Sequence, residues 1–209
     1  MIVSNERNVV HSYKTYSEQI KSRSKFHYLR GLLIRWLQSL KYKRAVRIAR
    51  KNGATIGEGV VMPLKLAHKA NSNLVVGNHV SIQTDKIDLR SPVHIGNHVI
   101  IGAGTEIITT SHNINSLMFT VKHYGIVIED YVWLPTKILV LPSCRKIEFG
   151  AVVGSGSVVV KDVPFMSVVS GNPAIVINKR SFVHSELVVE KLLGGDFSLY
   201  KKYRKYDFK

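Results

Sequence analysis

Aliphatic residues recur at steps of six through the middle of the chain. Ile95-Gly96-Asn97-His98-Val99-Ile100 is followed by Ile101-Gly102-Ala103-Gly104-Thr105-Glu106, and Ile107 opens the next unit. The series resumes at Ile128, Leu134 and Val140, then runs through Ile147, Val153 and Val159 after one extra residue. Ile56-Gly57, Val76-Gly77 and Ile82 begin it. Six is neither the 3.6 period of an amphipathic helix nor the long alternation of a free-standing strand. It describes short strands joined by tight turns. The aliphatic residue and the smaller one four later (Val99, Thr105, Val132, Ala151, Ser157) can both point inward, with Gly or Asn at the corner between them. Three units make one coil of a triangular prism, and coils stack because no unit can bury its apolar face alone.

Around the repeat the charge is uneven. The chain of 209 residues carries 30 Lys+Arg against 14 Asp+Glu, a net +16. Residues 1–53 hold +11 of this, residues 54–177 only +1, and residues 178–209 hold +4. The reading is therefore a basic helical N-terminal arm, a nearly neutral prism and a basic C-terminal tail. Residues 26–50 read as a helix with Phe26, Leu29, Leu33, Trp36, Leu37 and Leu40 on one side. A second helix is expected over residues 183–193, stopped by Gly194-Gly195.

Several classes are excluded. One cysteine, Cys144, allows no intramolecular disulfide framework, no cysteine-based zinc site and no CxxC pair. Residues 32–40 are apolar but interrupted by Arg35 and far short of a transmembrane span, and the start lacks the h-region of a signal peptide, so a cytoplasmic protein is expected. His79 and His98 share one place in Gly-Asn-His-Val units and are expected to stack on a corner, but no third histidine matches them, so no metal is assigned. The tail Tyr200-Lys201-Lys202-Tyr203-Arg204-Lys205-Tyr206 interleaves aromatics with cations without any nucleic-acid module, so no nucleic acid is assigned.

The residues resemble a known family, the left-handed parallel β-helix acyltransferases with hexapeptide repeats, and within it the galactoside, maltose and capsule-type sugar O-acetyltransferases. The resemblance covers residues 54–180. It rests on Thr109-Thr110-Ser111-His112-Asn113, on Ile128-Glu129-Asp130-Tyr131-Val132-Trp133, and on the run from Gly154 to Pro164 followed by Gly171-Asn172-Pro173. It implies a left-handed coil, which the period cannot show, and acetyl transfer from acetyl-CoA to a hydroxyl. It also implies a homotrimer with sites between neighbouring prisms.

Such transfer needs a base, and a histidine titrates near neutral pH. His112 is the candidate: it opens residues 111–125, which interrupt the repeat and would leave the prism as an external loop. Its orienting partner stays open among Glu106, Glu129 and Asp130, none of which is assigned. Where relatives read Trp-Ile-Gly-Ala or Trp-Ile-Gly-Ser, this chain has Trp133-Leu134-Pro135-Thr136, so Pro135 offers no N–H and Thr136 becomes the oxyanion donor. The resemblance places Trp133, which reads equally as a packing residue, at the thioester end, Ser155 and Gly156 along pantetheine, and Lys161, Lys179 and Arg180 near the phosphates of the cofactor; Thr136, the oxyanion donor, is counted with them in the cofactor site. Gln83 and Asp85 stand where relatives bind sugar hydroxyls. The extra residue near Cys144 suggests a bulge. The acceptor expected is a sugar hydroxyl of a surface polysaccharide or its precursor; the alternatives are an amino-sugar N-acyltransferase and a degenerate prism that binds glycan or membrane. The basic N-terminal arm has the composition of a helix that touches the inner membrane surface, or of one packed on protein with a solvated basic side.

Overall fold

The computed structural model describes residues 9–10, 15–185 and 187–203. Three parallel sheets are visited in turn. The first face holds Thr55–Ile56, Leu74–Val76, Val93–Ile95, Ile126–Ile128 and Lys146–Ile147. The second holds Ser81–Ile82, Ile100–Ile101, Trp133–Leu134, Val152–Val153 and Ser167–Gly171, and the third Glu106–Ile107, Leu139–Val140 and Val158–Val159. After the last coil, Ala174–Lys179 returns antiparallel along Ser167–Gly171.

The six-residue spacing produces the core directly. Ile95, Ile101, Ile107, Ile128, Leu134, Val140, Ile147, Val153 and Val159 are all 3% exposed or less, each worth about 1.5–3 kcal/mol of burial. Val99, Thr105, Val132, Ala151 and Ser157 are buried beside them. Through the middle of the prism register shows a coil of nineteen residues, not eighteen: Val75 pairs His94, Ser81 pairs Ile100, Val127 pairs Lys146, Trp133 pairs Val152 and Leu139 pairs Val158, whereas the first coil takes twenty (Thr55 pairs Val75) and the last sixteen (Val152 pairs Val168). The extra residue falls at the third corner, where the chain passes from the third face to the first. The residue near Cys144 is therefore no bulge: the turn Leu141–Cys144 is that longer corner, closed by Cys144 N–H to Leu141 O at 2.9 Å. Cys144 is buried there, and burial pushes its thiol up to about 12.

The first corner carries a column of left-handed residues, Gly59, His79, His98, Tyr131, Gly150 and Met166. Four of the six are not glycine, a conformation costing about 1–2 kcal/mol each. Stacking offsets part of this: His79 lies 5.1 Å from His98, and His98 4.8 Å from Tyr131, between ring centroids. A second ladder runs beside it, in which the Glu58, Asn78 and Asn97 N–H groups donate to Asn78, Asn97 and Asp130 side chains.

Among the described residues, four α-helices lie outside the prism, α1 (Thr15–Lys21), α2 (Lys25–Lys51), α3 (Leu64–Lys69) and α4 (Phe197–Lys202). Ser24 caps α2, accepting from His27 N–H. The expected helix over residues 183–193 is corrected: Val183–His184 is a strand, and only Val189–Leu193 is helical, as a 3-10 helix ended by left-handed Gly194. The two arms meet each other, with Ile20, Tyr28 and Tyr200 forming a separate buried cluster. Tyr200 is thus unavailable for stacking on nucleic-acid bases, and Arg204, Lys205 and Tyr206 lie outside the described residues.

Candidate active site

One coil is interrupted. His94 pairs Val127 and Glu106 pairs Leu139, thirty-three residues on instead of nineteen. The inserted chain leaves the third corner as a hairpin in which Thr110–His112 runs antiparallel to Val121–His123. Its root is held by Asp88, on the same corner one coil earlier. The Asp88 carboxylate accepts from Thr109 N–H at 3.3 Å and Thr110 Oγ1 at 2.8 Å, and pairs with Arg90 at 2.8 Å. Burial opposes its charge, but these hydrogen bonds outweigh burial and hold its pKa well below the ordinary carboxylate value.

His112 is exposed on this hairpin, with Nδ1 2.6 Å from the Phe119 carbonyl oxygen. A carbonyl only accepts, so Nδ1 carries the hydrogen and the neutral ring keeps its lone pair on Nε2. The three carboxylates considered as partners are engaged elsewhere. Glu106 pairs with Lys86, Glu129 with Lys146 and the Phe149 N–H, and Asp130 with Asn97. The hairpin tip is apolar and open, Ile114, Leu117, Met118 and Phe119 being 59–100% exposed.

The other candidates occupy the second corner. Leu134 and Ile82 both pair Ile101, so Gln83 and Asp85 share the edge of Thr136, two coils away. Asp85 pairs with Lys69 of α3 at 3.8 Å. Trp133 points outward from the second face and is 45% exposed, so it is not a core residue. Ladder register would send an N–H at 135 to Val153 O, the rung that Pro135 cannot make. Among the described residues the Thr136 N–H donates to no group of its own chain, nor do those of Ala103 and Ser155 on adjacent coils. Ser155 and Gly156 are exposed beside it, and a Cβ at Gly156 would meet open space.

Within one chain, His112 and Thr136 are therefore on different corners, a face of roughly 17 Å apart by strand rise. Nor are the phosphate candidates together. Lys161 is exposed on the third corner, whereas Lys179 pairs Ser167 near the first. Arg180 is committed within the chain: its guanidinium donates to the carbonyls of Tyr131 at 3.1 Å, Gly150 at 3.3 Å and Phe182 at 3.1 Å, and burial lowers its pKa.

Sequence reasoning missed Glu190. This buried carboxylate of the C-terminal segment accepts from His79 Nδ1 at 2.6 Å, which raises the His79 pKa. The C-terminal segment thereby closes over the first corner, where a cavity of about 420 Å³ is lined by His79, His98, Glu190, Tyr16 and Tyr203. Its own segment offers no local pattern that would reveal the contact. Among the described residues, no three His, Cys, Asp or Glu side chains are grouped to hold a metal ion.

No family model matches the chain. Over 153 residues it is 31% identical to WcaF of Escherichia coli, which bears the name colanic acid biosynthesis acetyltransferase; the match covers 73% of this chain and 84% of that protein. Over 174 residues it is 29% identical to the galactoside O-acetyltransferase of Lactococcus lactis, covering 79% of this chain and 76% of that one. Among solved structures it resembles a galactoside acetyltransferase in complex with coenzyme A, with a TM-score of 0.50 at 19% identity over 79% of this chain and 90% of that one, which shows a shared fold. With 31% identity to WcaF over 73% of its length, its hexapeptide period and its three-faced coil, the chain belongs to the hexapeptide-repeat acetyltransferase family.

Proposed function

We propose that the protein transfers an acetyl group from acetyl-CoA to a sugar hydroxyl of a surface polysaccharide or its precursor, with His112 as general base. The observation that carries this is the His112 to Phe119 hydrogen bond, which leaves Nε2 with the lone pair a base needs. His112 Nε2 takes the acceptor's hydroxyl proton as its oxygen attacks the thioester carbonyl. The Thr136 N–H stabilises the resulting oxyanion. Collapse breaks the C–S bond, and the imidazolium returns its proton to the coenzyme A thiolate. The names of the relatives support the donor and the sugar class.

The coil is left-handed and the assembly a homotrimer in this reading. The third corner of one prism meets the second corner of the next, which brings His112 of one chain to Thr136 of its neighbour and covers the apolar hairpin tip. Gln83 and Asp85 then face the acceptor, Trp133, Ser155 and Gly156 line pantetheine, and Lys161 and Lys179 are the phosphate cations, Arg180 being committed. Among the described residues no helix is long and apolar enough to cross a membrane. The protein works in the cytoplasm, with its basic N-terminal arm toward the inner membrane surface.

Calorimetric titration of acetyl-CoA, with dephospho-CoA for comparison, tests the donor. Saturable binding weakened by Lys161→Ala or Lys179→Ala is expected; absence of binding by the folded oligomer contradicts the reading. Matched hydroxyl and amine sugars test the acceptor, and turnover of the amine alone would make it an N-acyltransferase. Leu117→Ser with Met118→Ser is expected to shift the mass in solution from trimer toward monomer.

A further inference from the structure

Helix α2 turns its most apolar side away from its own protein. Its inner side is occupied along its length. Tyr28 stacks on Tyr200 with 5.1 Å between ring centroids, Arg35 pairs with Asp196 at 2.8 Å, and Tyr42 donates to Leu193 O at 3.1 Å. Ala45 and Ala49 are buried in the prism's core. At Gly31 the helix approaches so closely that a Cβ would lie 2.5 Å from the Tyr200 hydroxyl oxygen. These contacts fix the rotation of α2 and leave Phe26, Leu29, Leu33, Trp36, Leu37 and Leu40 outside, each 46–72% exposed. At 3.6 residues per turn the six fall within an arc of about 100° and a length of about 21 Å.

Beyond Leu40 the same arc continues as Arg44, Arg47 and Lys51, all exposed. Lys25 and Lys43 flank it on one side, Arg30 and Lys41 on the other. Lys25–Lys51 contains no aspartate or glutamate. A soluble face made only of large apolar side chains and cations has no reason to stay in water.

We propose that this outer face of α2 binds the surface of an anionic lipid bilayer. The helix lies in the membrane plane, its apolar residues enter the boundary between headgroups and acyl chains, and its cations meet lipid phosphates. Charge complementarity favours a bilayer over a second copy of this chain. Lys25–Lys51 offers no carboxylate to meet the cations of a copy, so a twofold contact through α2 would leave Arg44, Arg47 and Lys51 without counter-charges, which lipid phosphates supply. The proposal is independent of the transfer reaction, since binding is read without acetyl-CoA.

The test is sedimentation of the full-length protein with vesicles of phosphatidylcholine alone and with phosphatidylglycerol added. The wild type is expected to sediment with the anionic vesicles and not with the neutral ones, and less as salt is raised. Leu33→Ser with Leu37→Ser, and separately Arg44→Gln with Arg47→Gln and Lys51→Gln, alter exposed side chains, and unchanged melting temperatures verify the fold. Each cation near the surface is worth roughly a factor of five in partitioning, so the triple variant should lose roughly a hundredfold. The proposal is overturned if the wild type ignores anionic vesicles or if both variants bind them as the wild type does. It is equally overturned if the serine variant changes the mass in solution while the wild type binds no vesicles, because the stripe is then an interface between copies.

Discussion

His112 Nδ1 and the carbonyl oxygen of Phe119 lie 2.6 Å apart across the mouth of the external hairpin. Phe119 is itself left-handed at φ 50°, which helps present that carbonyl to the ring. A backbone carbonyl accepts this hydrogen bond without carrying the charge that a carboxylate would. It holds the tautomer and adds no net charge beside the imidazole, so the ring of His112, the proposed base, is oriented without a charged partner.

Because Asp88 roots the hairpin, its removal should act on His112 at a distance. Asp88→Ala leaves the Thr109 N–H and Thr110 hydroxyl without their acceptor and is expected to cost about 1–3 kcal/mol. It should lower kcat while leaving acetyl-CoA affinity unchanged, and Asp88→Asn should recover part of the loss. In the wild type, the depressed pKa means this stabilisation is present above the ordinary value of 3.8 and is lost as pH falls through the folded one. Steady-state kinetics beside denaturant melts read both effects; a fall in acetyl-CoA affinity without a fall in kcat would count against a positioning role.

The His79 to Glu190 pair makes a pH-dependent prediction of the opposite sign. The Glu190 hydrogen bond raises the His79 pKa, against desolvation, with a smaller contribution from Glu58. A raised histidine stabilises fully below its ordinary value of 6.5 and loses that contribution as pH rises through the folded value. Stacked His98, lowered by burial and by His79, works the other way, so the quantity to follow is the difference between variant and wild type. Glu190→Gln should lower the melting temperature most below pH 6.5 and progressively less above it. A gap that widens with pH contradicts the assignment.

Two glycines of the second corner should respond differently to alanine. A Cβ on Gly102 would sit 1.7 Å from the Pro135 carbonyl oxygen, which is backbone and cannot swing aside. Gly102→Ala must open the coil spacing next to Thr136 and is expected to cost about 3 kcal/mol or more. Gly156, at φ 75°, has nothing within 4 Å of such a Cβ, so only its backbone conformation is penalised, by about 1–2 kcal/mol. Equal losses in denaturant unfolding would show that the corner is not so tightly closed.

Most of the prism was legible in the sequence because its geometry is local. A step of six sends Ile101, Thr105 and Ile107 inward whatever else the chain does, and all three are buried. The nineteen-residue coil was less visible, since the longer third corner is filled by turn residues around Ser91 and Cys144 that share no pattern. The partner of His112 was hidden for a different reason: it is a backbone carbonyl, and side-chain identity says nothing about it. Long-range contacts were also out of reach. Tyr200, far along the chain, decides that Tyr28 and Gly31 face inward on α2, and the apolar stripe faces outward as a result. Glu190 reaches His79 across 111 positions, beyond any local signal.

The central claim is that His112 Nε2 removes the acceptor's proton. Its most direct test is coenzyme A release from acetyl-CoA in the presence of a competent sugar acceptor, measured for the wild type and His112→Ala, with acetyl-CoA affinity determined for both. The account predicts that the variant loses about 10²–10⁴-fold in kcat and keeps its affinity for acetyl-CoA. Transfer by His112→Ala at the wild-type rate would contradict it.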